Sequence, residues 1–293
     1  MSSVSEIRQH IKAVGETAKI TRAMHLISSA KMKRAMALHD RNTFYLNRVI
    51  GGIRYIIDNS DDFFPACRYC RAPEECHTAA FVVIAGDKGL CGAFNSDVIR
   101  LAHRVIEEHP DEKPLVYAVG HMAAEHFSRT MQPVLDYVHL IHEPNLQNAR
   151  ELAFELLEKY HTHEIDEVHV IYTNLIRLGM MEPVARHLLP LKPEDFAETD
   201  YTWIKDEMGF ALYPSEEQVF DRMVPSYLIG VLYSAMVESF VSEQFSRMTA
   251  MEASMKNADE MLAKLELELN HARQSMITQE ITEIISGGML YER

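Results

Sequence analysis

Proline is missing from both ends of this chain. All eleven prolines of the 293 residues fall between Pro65 and Pro225, so the first 64 and the last 68 residues lack the strongest helix breaker. Glycine is also scarce at the second end, where Gly230 is the only glycine between residues 226 and 286. Each end can therefore form one long helix. A C-terminal helix of ~60 residues would be about 90 Å long.

Long hydrophobic runs are missing too. No apolar stretch approaches the ~20 residues of a membrane span, and the N-terminus is polar and charged where a signal peptide would be apolar. The composition, 47% hydrophobic and 25% charged, is typical of a globular protein with a sizeable core. We expect a mature cytoplasmic protein that associates with membranes through partners only.

Apolar residues in the C-terminal end recur at alternating steps of three and four. An apolar position every 3.5 residues over four heptads indicates a coiled coil. We call these nine positions the C-terminal seam: Met248, Met251, Met255, Ala258, Leu262, Leu265, Leu269, Ala272 and Met276.

The N-terminal end carries a weaker version of the same pattern. Ile7, Ile11, Val14, Ala18 and Thr21 alternate by four and three, Met24 and Ile27 widen the stripe, and His25, Ser28 and Ser29 then weaken it. A helix this polar depends on packing for its stability. We therefore expect the two ends to pair as an antiparallel coiled coil.

The middle of the chain changes to alternating strands and helices. Apolar runs at 81–86 and 114–120 each end in glycine and precede a helical segment, and a helix at 145–163 leads into a strand at 167–175. This order predicts an α/β domain with a mostly parallel sheet. The expected division is a helix at 1–60, a cysteine-containing connector at 61–77, the α/β domain at 78–204 and a second helix at 205–293.

Sites for chemistry are hard to find. The segment Gly86–Gly92 has neither the dinucleotide fingerprint nor the phosphate-loop pattern, so we interpret it as a tight strand-to-helix turn. Cys91 has no neighbour that would make a catalytic thiolate. The 15 histidines are scattered, without a motif such as HExxH. No cofactor is expected.

One cluster leaves a metal site open. Cys67, Cys70, Cys76 and His77 could supply four tetrahedral zinc ligands. Two of them are adjacent in sequence, which is awkward for one ion, and free thiols are the alternative in a cytoplasmic protein.

Charge is unevenly distributed. Residues 1–50 hold nine Lys or Arg against three Asp or Glu, a net of +6 in a chain of net charge −14. This segment is either a solvated helix face or a surface that docks on acidic partners. Nucleic acid is not an expected partner, because the remaining residues are strongly acidic and would repel phosphate.

Three separated segments resemble one protein family. The opening IRQHIKAVGETAKITRAMHLISSAKMKRA, the internal GDKGLCGAFNSDVI and the closing ARQSMITQEITEIISGG stand in the places that they have in the γ subunit of F-type ATP synthases. The stretch EQFSRMTAMEASMKNADEMLAKLELELNHARQ is similar to the segment before the family's last motif. The resemblance covers essentially the whole chain, which is identified as a bacterial-type member.

The resemblance implies a fold and a function. The terminal helices would form an antiparallel coiled coil inside a ring of α and β subunits, and the middle a Rossmann-like α/β domain beside the ε subunit and the c-subunit ring. The chain would be the central rotor stalk, coupling ion flow to ATP synthesis or hydrolysis without chemistry of its own. It would lie peripherally on the cytoplasmic side of a bacterial inner membrane.

The resemblance also implies partner contacts. In the closing motif, the residues that meet inner loops of the α and β subunits correspond to Arg273, Gln274, Thr278 and Glu280. For Thr278 the alternative is local packing or capping.

Further contacts are implied nearer the N-terminus. Met24 stands in the family's KITxAM segment, close to the β subunit, although ordinary helix packing explains it equally well. Lys88 and Cys91 stand in the turn that approaches an acidic loop of the β subunit.

The sequence departs from the family pattern in the Cys67–Cys76 cluster and in its acidic middle. It lacks the cysteine-bearing insertion of plant-type γ subunits, so regulation of that kind is not expected. Two other classes remain open: a freestanding α/β enzyme, and a coiled-coil scaffold without rotary function. The coupled ion, proton or sodium, is determined by other subunits.

Overall fold

In the order of the chain, one long helix comes before the α/β elements and a second long helix comes after them. The computed structural model describes residues 4–59, 67–70, 77–110, 113–130, 134–137, 143–197, 199, 201, 204, 212–213 and 215–291. The first helix, α1, spans Val4–Asn59 and has 56 residues. The last, α5, spans Glu216–Tyr291 and has 76 residues. The long terminal helices predicted from the missing prolines are confirmed.

The elements between them alternate as predicted. In chain order they are β1 (Thr78–Ile84), α2 (Phe94–Glu107), β2 (Lys113–Val119), α3 (His121–Thr130), β3 (Val134–Tyr137), α4 (Leu146–His161), β4 (Glu167–Arg177), β5 (Met180–Leu189) and a 3₁₀ turn at Pro193–Phe196.

The strands form one five-stranded sheet in the order β3-β2-β1-β4-β5. The pairs β1–β2, β1–β4 and β2–β3 are parallel, whereas β5 pairs antiparallel with β4 at one edge. Strand β1 is central and is buried from Ala79 to Ile84, as expected for a parallel strand covered on both faces. The predicted mostly parallel α/β domain is confirmed, with β3 and β5 as strands that the sequence did not indicate.

The C-terminal helix begins at Glu216, after the expected boundary at residue 205, and contains Pro225. The Ser215 hydroxyl accepts a hydrogen bond from the Gln218 amide at 3.3 Å, which caps the helix start. Pro225 lacks the amide that would bond one turn back, yet the helix continues through it. The packing of the following residues explains this continuity, because nearly all side chains between Tyr227 and Gln244 are buried.

The chain divides into two compact units. One comprises residues 30–246, and the other comprises residues 1–29 together with 247–293. The first unit thus contains the second half of α1 and the first part of α5 in addition to the sheet.

Within the unit 30–246, α1 and α5 pack with opposite chain directions. The Asn42 side-chain amide donates to the Gly230 carbonyl at 3.1 Å. Gly52 faces the end of the Met223 side chain, so a residue further along α1 meets an earlier residue of α5. On its other side α5 contacts the sheet, where the Thr173 amide donates to the Ser239 hydroxyl at 3.2 Å. This part of α5 is therefore a core helix between α1 and β4.

The same burial explains the hydropathy of α5. The expectation that no stretch approaches a membrane span was wrong by composition: an 18-residue window of this helix has a mean hydropathy of 1.4, which by length and composition would suffice. Because 78% of that window is buried inside the protein, a core helix accounts for its apolar character.

The smaller unit is the coiled coil proper. Between residues 255 and 275 the only side chains that are not exposed are those of the C-terminal seam. Met251 and Leu265 are its most buried members, at 6% and 8% exposure. Ile7 and Thr21 are buried on the N-terminal segment. The seam periodicity therefore correctly identified the packed faces.

Two seam expectations were wrong. Ile27 does not widen the stripe, since it is 56% exposed; the alternation instead continues through half-buried His25 to buried Ser28. Met276 is 45% exposed, so the packed seam ends at Ala272. The N-terminal stripe is polar but packed, whereas the packed C-terminal seam ends one seam position earlier than predicted, at Ala272 instead of Met276.

Candidate functional site

The segment Gly86–Gly92, which we call the glycine turn, joins β1 to α2. Buried Asn95 holds it together: its side-chain oxygen accepts from the Gly86 amide at 2.8 Å, and its side-chain nitrogen contacts the Lys88 carbonyl at 3.3 Å and the Cys91 sulfur at 3.2 Å. Leu90 and Gly92 have φ angles of 62° and 60°, which reverse the chain before the helix. The interpretation as a strand-to-helix turn is confirmed.

Side chains of the glycine turn face in different directions. Lys88 and Leu90 are exposed, the latter at 65%. Cys91 is 1% exposed and its thiol lies 3.7 Å from the Lys88 carbonyl, inside the turn. Lys88 and Leu90 can therefore contact another molecule, whereas the Cys91 side chain supports the turn from within.

Beyond the packed seam, α5 continues as an exposed segment that we call the tip, residues 273–285. Every side chain in the tip is exposed, including several large apolar ones. Contiguous exposed apolar side chains indicate a surface that contacts another molecule. These are Met276 at 45%, Ile277 at 50%, Ile281 at 51%, Ile284 at 74% and Ile285 at 55%.

Polar residues of the tip lie beside these apolar ones. Gln274 and Thr278 share a shallow groove, in which the Thr278 hydroxyl donates to the Gln274 carbonyl at 2.9 Å. Arg273 and Glu280 are seven residues apart, so at 3.6 residues per turn they share a second face of the helix, next to that of Gln274 and Thr278. All four candidate contact residues of the closing motif are exposed, and they lie on two neighbouring faces of the helix.

Met24 lies in the smaller compact unit and is half-buried. Its partial burial places it among the packing residues of the N-terminal segment, in agreement with ordinary helix packing. Partial exposure leaves one side of the thioether available to a neighbour.

The cysteine connector is only partly described. Cys67 is buried and Cys70 is half-buried, and the Cys70 amide donates to the Cys67 carbonyl at 3.1 Å in a turn. A hydrogen bond from the Cys70 thiol lowers the pKa of Cys67. His77 is exposed and its amide donates to Asp166 at 2.9 Å. Cys76 lies outside the described residues, so the zinc site at Cys67, Cys70, Cys76 and His77 remains a hypothesis.

Sequence reasoning missed a different cluster of metal-ligating side chains. His109, Glu167 and His169 offer ligand atoms that all lie within 4.8 Å of one another, and His187 lies opposite His169 on β5. The signal in the sequence was slight: Glu167 and His169 are two residues apart in a strand, which places both on one face.

Comparisons with known proteins cover nearly the whole chain. A family model described as ATP synthase matches residues 3–289. The γ chain of Ruminiclostridium cellulolyticum ATP synthase is 35% identical over 99% of both chains. That of Caldanaerobacter subterraneus subsp. tengcongensis is 37% identical over 96% of this chain and 98% of its own.

The chain belongs to the ATP synthase γ-chain family. The resemblance inferred from the three motifs is confirmed, because the match covers all of them in one alignment. Proteins of this family are non-catalytic subunits and form the central stalk of a membrane-associated complex. The freestanding-enzyme hypothesis was wrong.

Solved structures share the fold. One chain of the Euglena gracilis mitochondrial ATP synthase, in a structure of its OSCP, F1 and c-ring parts, aligns with a TM-score of 0.64 at 16% identity, covering 98% of this chain and 93% of its own. A chain of the Tetrahymena thermophila mitochondrial ATP synthase, in a structure of the central stalk and c-ring, aligns with a TM-score of 0.59 at 22% identity, covering 80% and 98%. At these identities the likeness concerns the fold of the γ-chain family.

Proposed function

We propose that this γ chain transmits torque between an ion-translocating c-subunit ring and a catalytic ring of α and β subunits in a bacterial F-type ATP synthase. Relatives in solved structures are components of a central stalk with a c-ring and of a rotor, which supports this assignment. Rotation of an asymmetric rod can bias each β subunit in turn toward a conformation with a different nucleotide affinity.

The observation that carries the proposal is the tip. A helix that leaves its packed seam after Ala272 and continues with exposed isoleucines would be unfavourable in water unless a partner covers it. A surrounding ring of α and β subunits would provide that cover. Interspersed polar groups can exchange hydrogen bonds between successive positions, each worth only about 1 kcal/mol net, so that none would hold the rotor in one place.

Individual contacts follow from exposure. Arg273, Gln274, Thr278 and Glu280 would meet the inner loops of the ring, and Met24, on the N-terminal helix, would lie close to the β subunit. At the glycine turn the exposed Lys88 would approach an acidic loop of the β subunit, and buried Cys91 would hold the turn in shape. Opposite charge at such a contact increases the rate and register of docking.

The remaining assignments follow from the same role. The N-terminal segment 1–60 and the C-terminal segment 205–293 would form the shaft, 61–77 the connector, and the α/β domain 78–204 the base that contacts the ε subunit and the c-subunit ring. The chain would lie on the cytoplasmic side of the inner membrane and be held there by its partners. It would need no cofactor.

The test is a double substitution in the tip, Arg273→Ala with Gln274→Ala. Both side chains are exposed and outside the packed seam, so the coiled coil should remain intact and the subunits should assemble. We expect lower multisite ATP hydrolysis and lower ATP-driven ion pumping in membranes that contain the complete complex. Subunit stoichiometry after purification checks assembly.

A matched control uses two exposed residues of the same helix outside the tip, Lys264→Ala with Glu268→Ala. This pair removes one charge of each sign and should leave both activities unchanged. If the tip variant hydrolyses ATP and pumps ions like the control, these two side chains are ordinary solvated surface. If the complex assembles without any rotation of the chain, a non-rotary scaffold is the better description.

A further inference from the structure

Four metal-ligating side chains meet beside the antiparallel edge of the sheet, and we call them the histidine cluster: His109, Glu167, His169 and His187. The Nε2 atom of His169 lies 3.1 Å from a carboxylate oxygen of Glu167. The Nε2 atom of His187 lies 4.0 Å from the same oxygen. The rings of His109 and His169 have centroids 4.9 Å apart, and those of His169 and His187 are 5.2 Å apart.

The topology of the sheet brings these residues together. Glu167 and His169 are separated by one residue on β4, so both point to the same face. His187 on β5 pairs directly with His169 in the antiparallel register, which places its side chain on that face too. His109 follows the end of α2, the helix that covers this face. All four belong to the compact unit 30–246.

The His109 ring is oriented for an additional ligand. Its Nδ1 atom lies 2.7 Å from the Val105 carbonyl oxygen. A carbonyl can only accept a hydrogen bond, so Nδ1 carries the proton, and in the neutral ring Nε2 keeps its lone pair. This hydrogen bond to a backbone carbonyl is the arrangement that usually orients a metal-ligating histidine.

The two ring nitrogens of His187 are buried polar atoms. Neither of its ring nitrogens is exposed to solvent, and neither has a hydrogen-bond partner among the described residues. Buried polar atoms of this kind are uncommon in folded proteins and call for an explanation such as a bound ion or water. The ring of Phe81 stacks on that of His169, with centroids 5.3 Å apart. This packing limits how far the cluster could rearrange to give the His187 nitrogens hydrogen-bond partners.

We propose that the histidine cluster binds one divalent transition-metal ion, with zinc as the best match. Three imidazole nitrogens and one carboxylate oxygen are ligands that zinc accepts in tetrahedral geometry, with bonds of about 2.0–2.2 Å. Such bonds place neighbouring ligand atoms roughly 3.4 Å apart, and the distances of 3.1 Å and 4.0 Å lie on either side of that value. The cation would take the place of the proton between His169 and Glu167.

Charges near the cluster act in both directions. Lys192 is the nearby positive charge and opposes a cation, whereas the Glu167 carboxylate favours it. His187 also lines a cavity of about 540 Å³ together with Tyr172 and Asp195, which provides space next to the cluster.

A metal here would link the end of α2 to the two consecutive strands β4 and β5. It would connect the edge strand β5 to β4 and to the end of α2, and would therefore stabilise the domain against opening at its antiparallel edge. This role is separate from torque transmission, so the rotor assignment does not depend on it.

The experiment uses the full chain without a tag and with Cys67→Ser, Cys70→Ser and Cys76→Ser, which leaves His77 as the one remaining member of the other candidate zinc site. Titration with ZnCl₂ by calorimetry should show one bound equivalent. Co²⁺ as a spectroscopic substitute should give the visible absorption of a tetrahedral site with nitrogen and oxygen ligands. Thermal unfolding should shift to higher temperature with zinc and return with chelator, because a ligand of the native state stabilises it.

Variants identify the ligands. Glu167→Gln and His187→Gln, each in the same cysteine-substituted background, should weaken zinc binding at least ~10-fold and abolish the thermal shift. Glu167→Gln preserves shape, so it remains informative if His187→Gln folds poorly. The control is His121→Gln, which removes an exposed histidine of α3 and should bind like the parent. Absence of a bound equivalent in the parent, or equal affinity in all variants, would overturn the proposal.

Discussion

Leu265 provides the sharpest test of the coiled coil, because a matched residue lies two positions away on the same helix. Leu265 is 8% exposed in the C-terminal seam, whereas Leu267 is 62% exposed. We compare Leu265→Asp with Leu267→Asp. The two substitutions make the same chemical change on the same helix, so helix propensity and net charge are matched and only burial differs.

The expected loss of stability combines the burial free energy of the leucine with the cost of desolvating or protonating an aspartate at that position. Removing a nearly buried leucine forfeits about 1.5–3 kcal/mol of burial free energy. Aspartate at that position must be desolvated or protonated, and raising its pKa from about 3.9 to 7 corresponds to about 4 kcal/mol. The seam is only two helices wide, so the carboxylate can turn toward water and lose less. We expect a total of about 3–5 kcal/mol for Leu265→Asp and within about 0.5 kcal/mol for Leu267→Asp.

The effect should be confined to the smaller compact unit. Amide hydrogen exchange, read by mass spectrometry on the full chain, should accelerate about 100-fold or more in peptides from residues 247–285 of Leu265→Asp, since 1.4 kcal/mol corresponds to a factor of ten. Peptides from the sheet should keep the parent rates. Equal exchange in the two variants would refute the conclusion that the seam is buried.

Three further predictions concern the α/β domain. Asn95→Ala should lower its free energy of unfolding by about 2–3 kcal/mol in chemical denaturation, because buried partners in the glycine turn lose their hydrogen bonds; parent-like stability would contradict this role. Gly120→Ala should cost more than 3 kcal/mol or prevent folding, since φ is 96° and an added Cβ would lie 2.2 Å from the Ala85 carbonyl oxygen; soluble protein with an unchanged melting temperature would exclude the clash. Burial lowers the pKa of His126, and so does the neighbouring His103 ring, whose Nε2 atom lies 2.7 Å from that of His126. Just below pH 6.5 the unfolded chain therefore binds more protons than the folded chain, so stability should fall as the pH falls there. His126→Gln should show a smaller drop in melting temperature from pH 7.5 to pH 5.5, and an identical drop would refute the assignment.

Much of the fold followed from local pattern alone. Absence of proline and a 3.5-residue repeat act over one or two turns of helix, so they predict long helices and their packed faces without knowledge of the rest of the chain. The alternation of apolar strands and helices predicted the α/β domain for the same reason. The three separated motifs then indicated the family, since each of them stands in the place that it has in that family.

Other features depended on contacts between distant residues. Strand β5 was not predicted because its residues are only partly buried at the sheet edge, and its pairing with β4 determines its structure. The buried but polar Ser28 could not be distinguished from an exposed serine by its type. The exposure of Met276 depends on where the partner segment ends, which an apolar repeat does not encode.

The sequence by itself determined the two long helices, their seams and the family, because each of these is written in the spacing of neighbouring residues. Tertiary structure alone decided that Asn95 would organise the glycine turn and that the four side chains of the histidine cluster, separated by up to 78 positions, would meet beside one face of the sheet. The physical reason is strand register: a shift of one residue moves a side chain to the opposite face, and only the packed sheet determines which register is adopted.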